Sequence, residues 1–409
     1  MDRKTLAALA AAILLAAPAR SVEVKPYGFV LANYLENWNR PNFADVPTQA
    51  VSASNAQPPN QNTSVFTARQ TRLGLNLSGG KGPRESELSG VIEGDFFGLR
   101  NAGTAGLDVN APAPRLRLAY VQAKRGDHTL VFGQDWVKAF APLNPISLVH
   151  AAIAPLSASG NLWNRLPQLR WDAEWSLTGD WKAGTKVALV RSFSADEAGR
   201  TASAPSGNNA TAATAADLAG SGEFSGGPAY QALVELKRKV DGRTWTLGAS
   251  MQYLRESFNS LVPPPAGATN HRVDGLLGSV HFVLPVLERL EFSGEGFYGR
   301  SDQNLQGLGT VYNDLGTVRT SQTRGGYAQA QVKPLRDWRF HLMAGFESID
   351  ELGLAAGSIY RNETIAANAM WDVSPELTLS AEFGRIHSYF VGALAGETKS
   401  LGLAAQYKF

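Results

Sequence analysis

Arginine and carboxylate residues recur at two-residue spacing along this chain: Glu93 with Asp95, Arg115 with Arg117, and Arg170 with Asp172, joined by single residues at Arg72 and Asp135. Side chains two apart on an extended strand share a face, so each pair projects to one side. Guanidinium groups grip carboxylates in bidentate fashion, and rows of Arg and Lys are how a pore favours anions. Two roles compete for the interleaved carboxylates. They either neutralise the arginines in a network that stiffens a wall, or orient guanidinium groups whose remaining donors meet a passing anion. Arg69 has the opposite parity to Arg72 and reads as a rim residue unless a bulge turns it inward.

Other chemistries are excluded or weak. The absence of cysteine removes disulfides, thiolate metal sites and a Cys nucleophile. The six histidines, His128, His150, His271, His281, His341 and His387, show no metal-ligand spacing, and no G-x-S-x-G is present. Gly294 to Gly299 matches G-x-G-x-x-G but lies in an alternating strand with no helix after it, so it is discounted as a dinucleotide site. Neither cofactor, metal nor enzymatic activity is expected. With 38 Lys+Arg against 36 Asp+Glu, coating of nucleic acid is not expected either.

The elements that position these residues read as strands. Gly is abundant at 41 of 409 residues, charge is low at 18%, and apolar residues alternate with polar ones in segment after segment. Leu401, Leu403, Ala405, Tyr407 and Phe409 form one such face; Trp338, Phe340, Leu342, Ala344 and Phe346 form another. About 16 strands of roughly 9–14 residues follow, the length a tilted strand needs to cross a bilayer. Their centres are Phe29, Leu73, Ile92, Leu118, Phe132, Trp171, Leu189, Val234, Leu247, Val280, Phe292, Ala330, Leu342, Ala369, Leu379 and Leu403.

Connections alternate between tight and long, as in a closed antiparallel transmembrane β-barrel with short periplasmic turns and long extracellular loops. Aromatics cluster toward strand ends: Tyr27, Trp175, Trp181, Trp245, Trp338, Trp371, Tyr407 and Phe409 at one rim, Phe66, Phe96, Tyr253, Tyr298 and Tyr389 at the other. Residues 1–21 read as a secretory signal peptide, with Arg3 and Lys4 before an apolar run and Ala17-Pro18-Ala19 as cleavage site, leaving 22–409 as the barrel. One long connection, 137–165, is too apolar to wave in water and is expected to fold into the lumen as a constriction, presenting Asn144, His150, Asn161 and Arg165; packing at a subunit interface is the competing reading. The Ala/Ser/Gly-rich segment Ala195–Gly226 reads as a solvated loop.

Several of these segments resemble the DcaP-like outer-membrane porins: Thr67-Ala68-Arg69-Gln70-Thr71-Arg72-Leu73-Gly74, Gly90 to Gly98, Pro114 to Tyr120, Phe132-Gly133-Gln134-Asp135-Trp136 and Leu166 to Arg170. The likeness is strongest over the first half of the chain and generic for porins beyond it, with the phosphate-selective porins more distant. It implies a sixteen-stranded, usually trimeric barrel in the bacterial outer membrane that passes small anionic solutes such as dicarboxylates. The terminal Tyr407-Lys408-Phe409 resembles the aromatic signal read by the outer-membrane assembly machinery. One departure is visible: no heptad-bearing extension stands between Ser21 and Lys25, so trimer contacts would rest on barrel walls.

The sequence thus leads to a passive anion-preferring porin whose partners are small anionic solutes, outer-membrane lipid and lipopolysaccharide, the assembly machinery and further copies of itself. The pore-lining candidates are Arg72, Arg115, Arg117, Arg170, Glu93, Asp95, Asp135 and Asp172. The alternative is a plugged, structural or adhesive barrel that binds a partner through its long loops.

Overall fold

Alternating apolar and polar residues are accommodated by extended chain whose two faces meet different surroundings. In the computed structural model, which describes residues 22–54, 61–98, 112–192, 220–258 and 264–409, nearly all the regular structure is such strands. In chain order they are β1 (Glu23–Trp38), β2 (Thr63–Thr67), β3 (Arg72–Lys81), β4 (Glu87–Gly98), β5 (Ala113–Arg125), β6 (His128–Trp136), β7 (Arg165–Ser176), β8 (Trp181–Val190), β9 (Ala229–Val240), β10 (Arg243–Ser257), β11 (Arg272–Leu287), β12 (Leu290–Arg300), β13 (Val311–Asp314), β14 (Thr317–Thr320), β15 (Gln322–Leu335), β16 (Trp338–Ile349), β17 (Ile359–Asp372), β18 (Leu377–Phe390) and β19 (Ala393–Lys408). The expected signal peptide, and most of the links Leu99–Ala113 and Ala195–Gly226, lie outside the described residues.

Seventeen strands form one antiparallel sheet, in which β2 and β3 are halves of a single broken crossing, so the wall has sixteen crossings. Each centre read from the sequence falls in a crossing of its own. β1 pairs with β19, Ala32 opposite Ala405, and the sheet closes on itself. Gly28 and Phe409 exchange both backbone hydrogen bonds at 3.2 Å, carrying the closure to the last residue. Closure leaves the sheet no free edge, which hydrocarbon demands. β13 and β14 stand apart as a hairpin in the long link after β12.

Short links at 82–86, 126–127, 177–180, 241–242, 288–289, 336–337 and 373–376 share one rim, and the long links share the other. One expected long link, 391–397, is tight: only Val391 and Gly392 join β18 to β19, because residues 393–397 are part of the strand. Gly392, at φ 63, supplies the left-handed backbone for that turn.

The outward face is apolar. Leu73, Leu116, Phe132, Leu247, Val280, Leu342, Phe383 and Leu403 are all exposed on it. Trp175, Trp181, Trp371 and Tyr407 are exposed toward the short-turn rim, Phe66 and Tyr298 toward the other. Tyr27 does not join the girdle. Its ring covers Gly74 on the inside of the barrel, and its hydroxyl donates to Glu93 Oε2 at 3.1 Å.

Two irregularities shape the interior. Between β2 and β3 the turn Ala68–Thr71 breaks the ladder and swings Arg69 inward, onto Asp45 at 2.5 and 2.7 Å. In β5, Leu118 faces Glu93 while Leu116 faces Gly94, so Arg117 is a bulged extra residue. Parity therefore reverses along β5: Arg115, Arg117 and Leu118 all turn inward, and Val121 is exposed outside.

Candidate functional site: the arginine wall and the inserted segment

The link between β6 and β7 begins with apolar residues and runs inside the barrel. Val137, Ala139, Phe140, Ala141 and Leu162 bury themselves against Leu166, Ala188, Val190, Ala229, Leu254, Leu277 and Phe297 on the inner faces of β7 to β12, with Leu305. Apolar residues on inner strand faces are thus a dry seat for this segment. From there the segment follows the wall in a circuit, held at intervals by polar side chains of the strands it passes.

Ser250 of β10 donates to the Phe140 carbonyl at 2.7 Å, Glu295 of β12 accepts from the Leu143 amide at 3.0 Å, and Gln329 of β15 accepts from the Ile146 amide at 2.7 Å. Asn368 of β17 returns a bond to the Ile146 carbonyl at 2.8 Å. Asn33 of β1 and Gln70 both donate to the Val149 carbonyl, at 3.2 and 2.8 Å, and the Gln70 carbonyl oxygen accepts from the amides of Ala151 and Ala152. Backbone polar groups removed from water are in this way paired one by one.

Ala151 and Ala152 carry this circuit to the arginines. Arg72 donates to the Ala151 carbonyl at 2.9 Å; Arg115 and Arg165 donate to the Ala152 carbonyl at 3.0 and 3.4 Å. Behind them, Asp95 accepts two bonds from Arg115, at 3.0 and 2.6 Å, and one from Arg117 at 2.8 Å. Glu93 accepts from Arg117 at 2.9 Å and lies 3.5 Å from Arg72 Nε. Arg165 lies over the rings of Trp136 and Trp163 at 4.9 and 5.2 Å.

The four arginines expected on this wall therefore differ in access. The Arg117 and Arg170 side chains are 1% and 4% exposed, and those of Arg72 and Arg115 are 21% and 27%. Arg170 is held by Asp135 and Asp172, both at 2.9 Å, beside the Lys138–Asp135 pair. The structure thus brings Arg72, Glu93, Asp95, Arg115 and Arg117 into one cluster and sets Asp135, Arg170 and Asp172 in a second.

The segment's own candidates divide as well. Asn161 is fully buried and braces the loop, donating to the Pro155 carbonyl at 2.8 Å and to exposed Asn144 at 3.1 Å. His150 Nε2 is 3.5 Å from Glu382 of β18; burial pushes the imidazole below its ordinary value, against the pull of Glu382 and Asp45.

Three lysines were missed. Lys182 and Lys186 of β8 and Lys237 of β9 face inward toward the short-turn rim, paired with Glu174 and Glu235 at 2.7–3.5 Å. The same alternation that exposed the arginines marks them, since Ala183 and Val187 occupy the outward positions between and after.

A sixteen-crossing barrel with an apolar exterior, alternating link lengths and a long link turned into its lumen is a transmembrane barrel of the outer-membrane channel type, and its place is the bacterial outer membrane. No family model matches the chain, and no curated protein sequence does. Solved structures do. The barrel is similar to the outer membrane channel DcaP of Acinetobacter baumannii, with a TM-score of 0.70 and 19% identity over 96% of this chain and 100% of that one. It is similar also to an anion-selective porin from Comamonas acidovorans, at TM-score 0.57 and 13% identity over 95% and 100%. A third is OprB of Pseudomonas putida, at 0.52 and 11% over 94% of each chain. At these identities the likeness is one of fold, and the resemblance read from the sequence holds at that level.

Proposed function

We propose that this chain is a passive diffusion porin for small hydrophilic solutes that favours organic anions, dicarboxylates among them. The observation that carries the reading is the charge where the inserted segment meets the wall. Four guanidinium groups, Arg72, Arg115, Arg117 and Arg165, stand against two carboxylates, Glu93 and Asp95, leaving a formal excess of two positive charges. Arg72 and Arg115 keep part of their surface free to exchange a solute's water for charge-assisted bonds. Below them Lys182, Lys186 and Lys237 against Glu174 and Glu235 leave one more. Flux follows the solute gradient, and no reaction is assigned to the barrel. The likeness to an anion-selective porin agrees with this reading.

The same proposal takes residues 1–21 as the export signal, Tyr407 and Phe409 as the assembly signal, and the homotrimer as the working form. Reversal potential across a salt gradient in planar bilayers tests it. Wild-type protein is expected to favour anions, and Arg72→Ala with Arg115→Ala to move the potential toward cations by removing both accessible positive charges. Cation preference in the wild type, or an unchanged potential in the double variant, removes the arginine wall from the mechanism. Absence of stepwise conductance from folded protein would favour the plugged, adhesive barrel instead.

A further inference from the structure

Outward-facing charge is unevenly spread around the long-link rim. On β2 to β6 the outward positions of the outer half hold Phe66, Leu73, Phe96, Leu116, Phe132 and Gln134, none of them charged. On the other side of the barrel the same depth is basic. Arg255 of β10 and Arg272 of β11 flank Asp274, and Arg300 and Arg324 follow at the ends of β12 and β15. Arg361, Arg385 and Lys399 come next on β17, β18 and β19, with Glu363 and Glu397 between.

Seven cations against three carboxylates on these strands leave a net of four positive charges pointing away from the lumen, where no permeating solute passes. Three of the pairs are half-exposed: the Arg255, Arg361 and Arg385 side chains retain 40–50% of their surface beside their carboxylates. Arg300 and Arg324 are exposed and form no ion pair among the described residues.

Register places these groups as a repeating row. Tyr298 is opposite Arg324, Arg324 opposite Ser348, Ser348 opposite Arg361, and Arg361 opposite Tyr389. Arg324 and Arg361 are therefore two strands apart, about 10 Å. Directly toward the bilayer centre lie Phe346, Ile365, Phe383 and Leu403, all exposed. Cations and phenols above, hydrocarbon below, is the profile of an anionic amphiphile standing upright in the leaflet.

We infer that the outer rim of β10–β19 binds the phosphorylated headgroup of an acylated glycolipid in the outer leaflet, with Arg324 and Arg361 as its central anchors and the acyl chains laid on Phe346, Ile365 and Phe383. Arginine's fork suits phosphate oxygens, and the row's spacing suits a headgroup with two phosphates. The uncharged β2–β6 sector is left for contact with another barrel. This inference concerns the outside of the wall and stands whether or not the lumen selects anions.

The test uses the full mature chain, folded in detergent and mixed with bisphosphorylated hexa-acyl lipid A, with retained lipid counted by native mass spectrometry. Wild-type protein is expected to retain lipid A and to lose most of it when the phosphate-free form of the same lipid is supplied. Arg324→Gln with Arg361→Gln should weaken retention roughly tenfold or more, two charge-assisted contacts being removed. Equal retention of the phosphate-free lipid overturns the proposal even if the variant fails to fold. So does undiminished binding by a folded double variant, or conversion of that variant from oligomer to monomer, which would make this sector the subunit contact.

Discussion

Arg115 and Arg117 are two residues apart on β5 and grip the same Asp95, yet chemistry divides them. The bulge buries Arg117 on the inner face beneath the inserted segment, where its side chain is 1% exposed and spans Glu93 and Asp95. Removing it leaves two buried carboxylates short of their partner, so Arg117→Ala is expected to cost about 3–5 kcal/mol in urea unfolding. The same change should move reversal potential less than Arg115→Ala does. The buried pairs of Arg117 and Arg170 have the geometry of the neutralising network, while the orienting role belongs to the proposal made for Arg115. Alternation alone pointed all of these residues inward. It could not separate them, because a bulge is a mismatch between two strands and neither strand displays it alone. Asp302, at the start of the long link after β12, makes a different forecast. Burial holds its carboxyl above the ordinary range, beside Gly307, whose added Cβ would lie 2.4 Å from Asp302 Oδ2 and 2.9 Å from Glu347 Oε1. A carboxyl whose pKa is higher in the fold than in the unfolded chain costs stability as pH rises from about 3.9 toward the folded value. Asp302→Asn should therefore flatten the decline of stability with rising pH, as measured by urea unfolding across that range.

At the scale of elements, the inserted segment is the part of the molecule most exposed to small changes in the wall. Its return path lies close on the wall: a Cβ on Gly345 of β16 would stand 2.2 Å from the Ser159 carbonyl oxygen, and one on the segment's own Gly160 would stand 2.2 Å from the Gly326 carbonyl oxygen of β15. Ser159 is tied there to Thr364 at 2.7 Å and to Asn362 at 2.8 Å. Gly345→Val should push the segment off β16, cost about 1–3 kcal/mol through overpacking, and change single-channel conductance while leaving the barrel folded on heat-modifiability gels. An unaltered conductance would mean the segment does not set the width of the passage. That this link must be packed was legible in Pro142-Leu143-Asn144-Pro145 and Ala151 to Pro155, which are too apolar for solvent. Its course was not legible. Ser250, Glu295, Gln329 and Asn368 are single polar residues on four distant strands, and only barrel closure brings them round one segment.

For the whole molecule, the proposed assembly rests on the contrast between the two sides of the outer rim. The sixteen crossings were readable because period-two patterning survives in each strand by itself, whereas the distribution of charge around the cylinder depends on which strands end up neighbours. The β2–β6 side offers Phe66, Leu116 and Phe132, exposed by 75%, 54% and 65%, with no charge at that depth. Apolar surface against lipid gains nothing from pairing through the hydrophobic effect, so contact there must come from close packing, which a charge would break while lipid on the other side tolerates it near the interface. Leu116→Asp with Phe132→Asp is expected to turn the proposed trimer into monomers by mass photometry in detergent, with conductance steps that come singly rather than in threes. Leu276→Asp, four residues into β11 on the basic side, is the control and should leave the oligomer intact, since the penalty for an acidic residue against lipid is similar at both depths. If the control also dissociates, or the β2–β6 variant remains trimeric, the subunits meet elsewhere on the cylinder and the uncharged sector is simply another face presented to lipid.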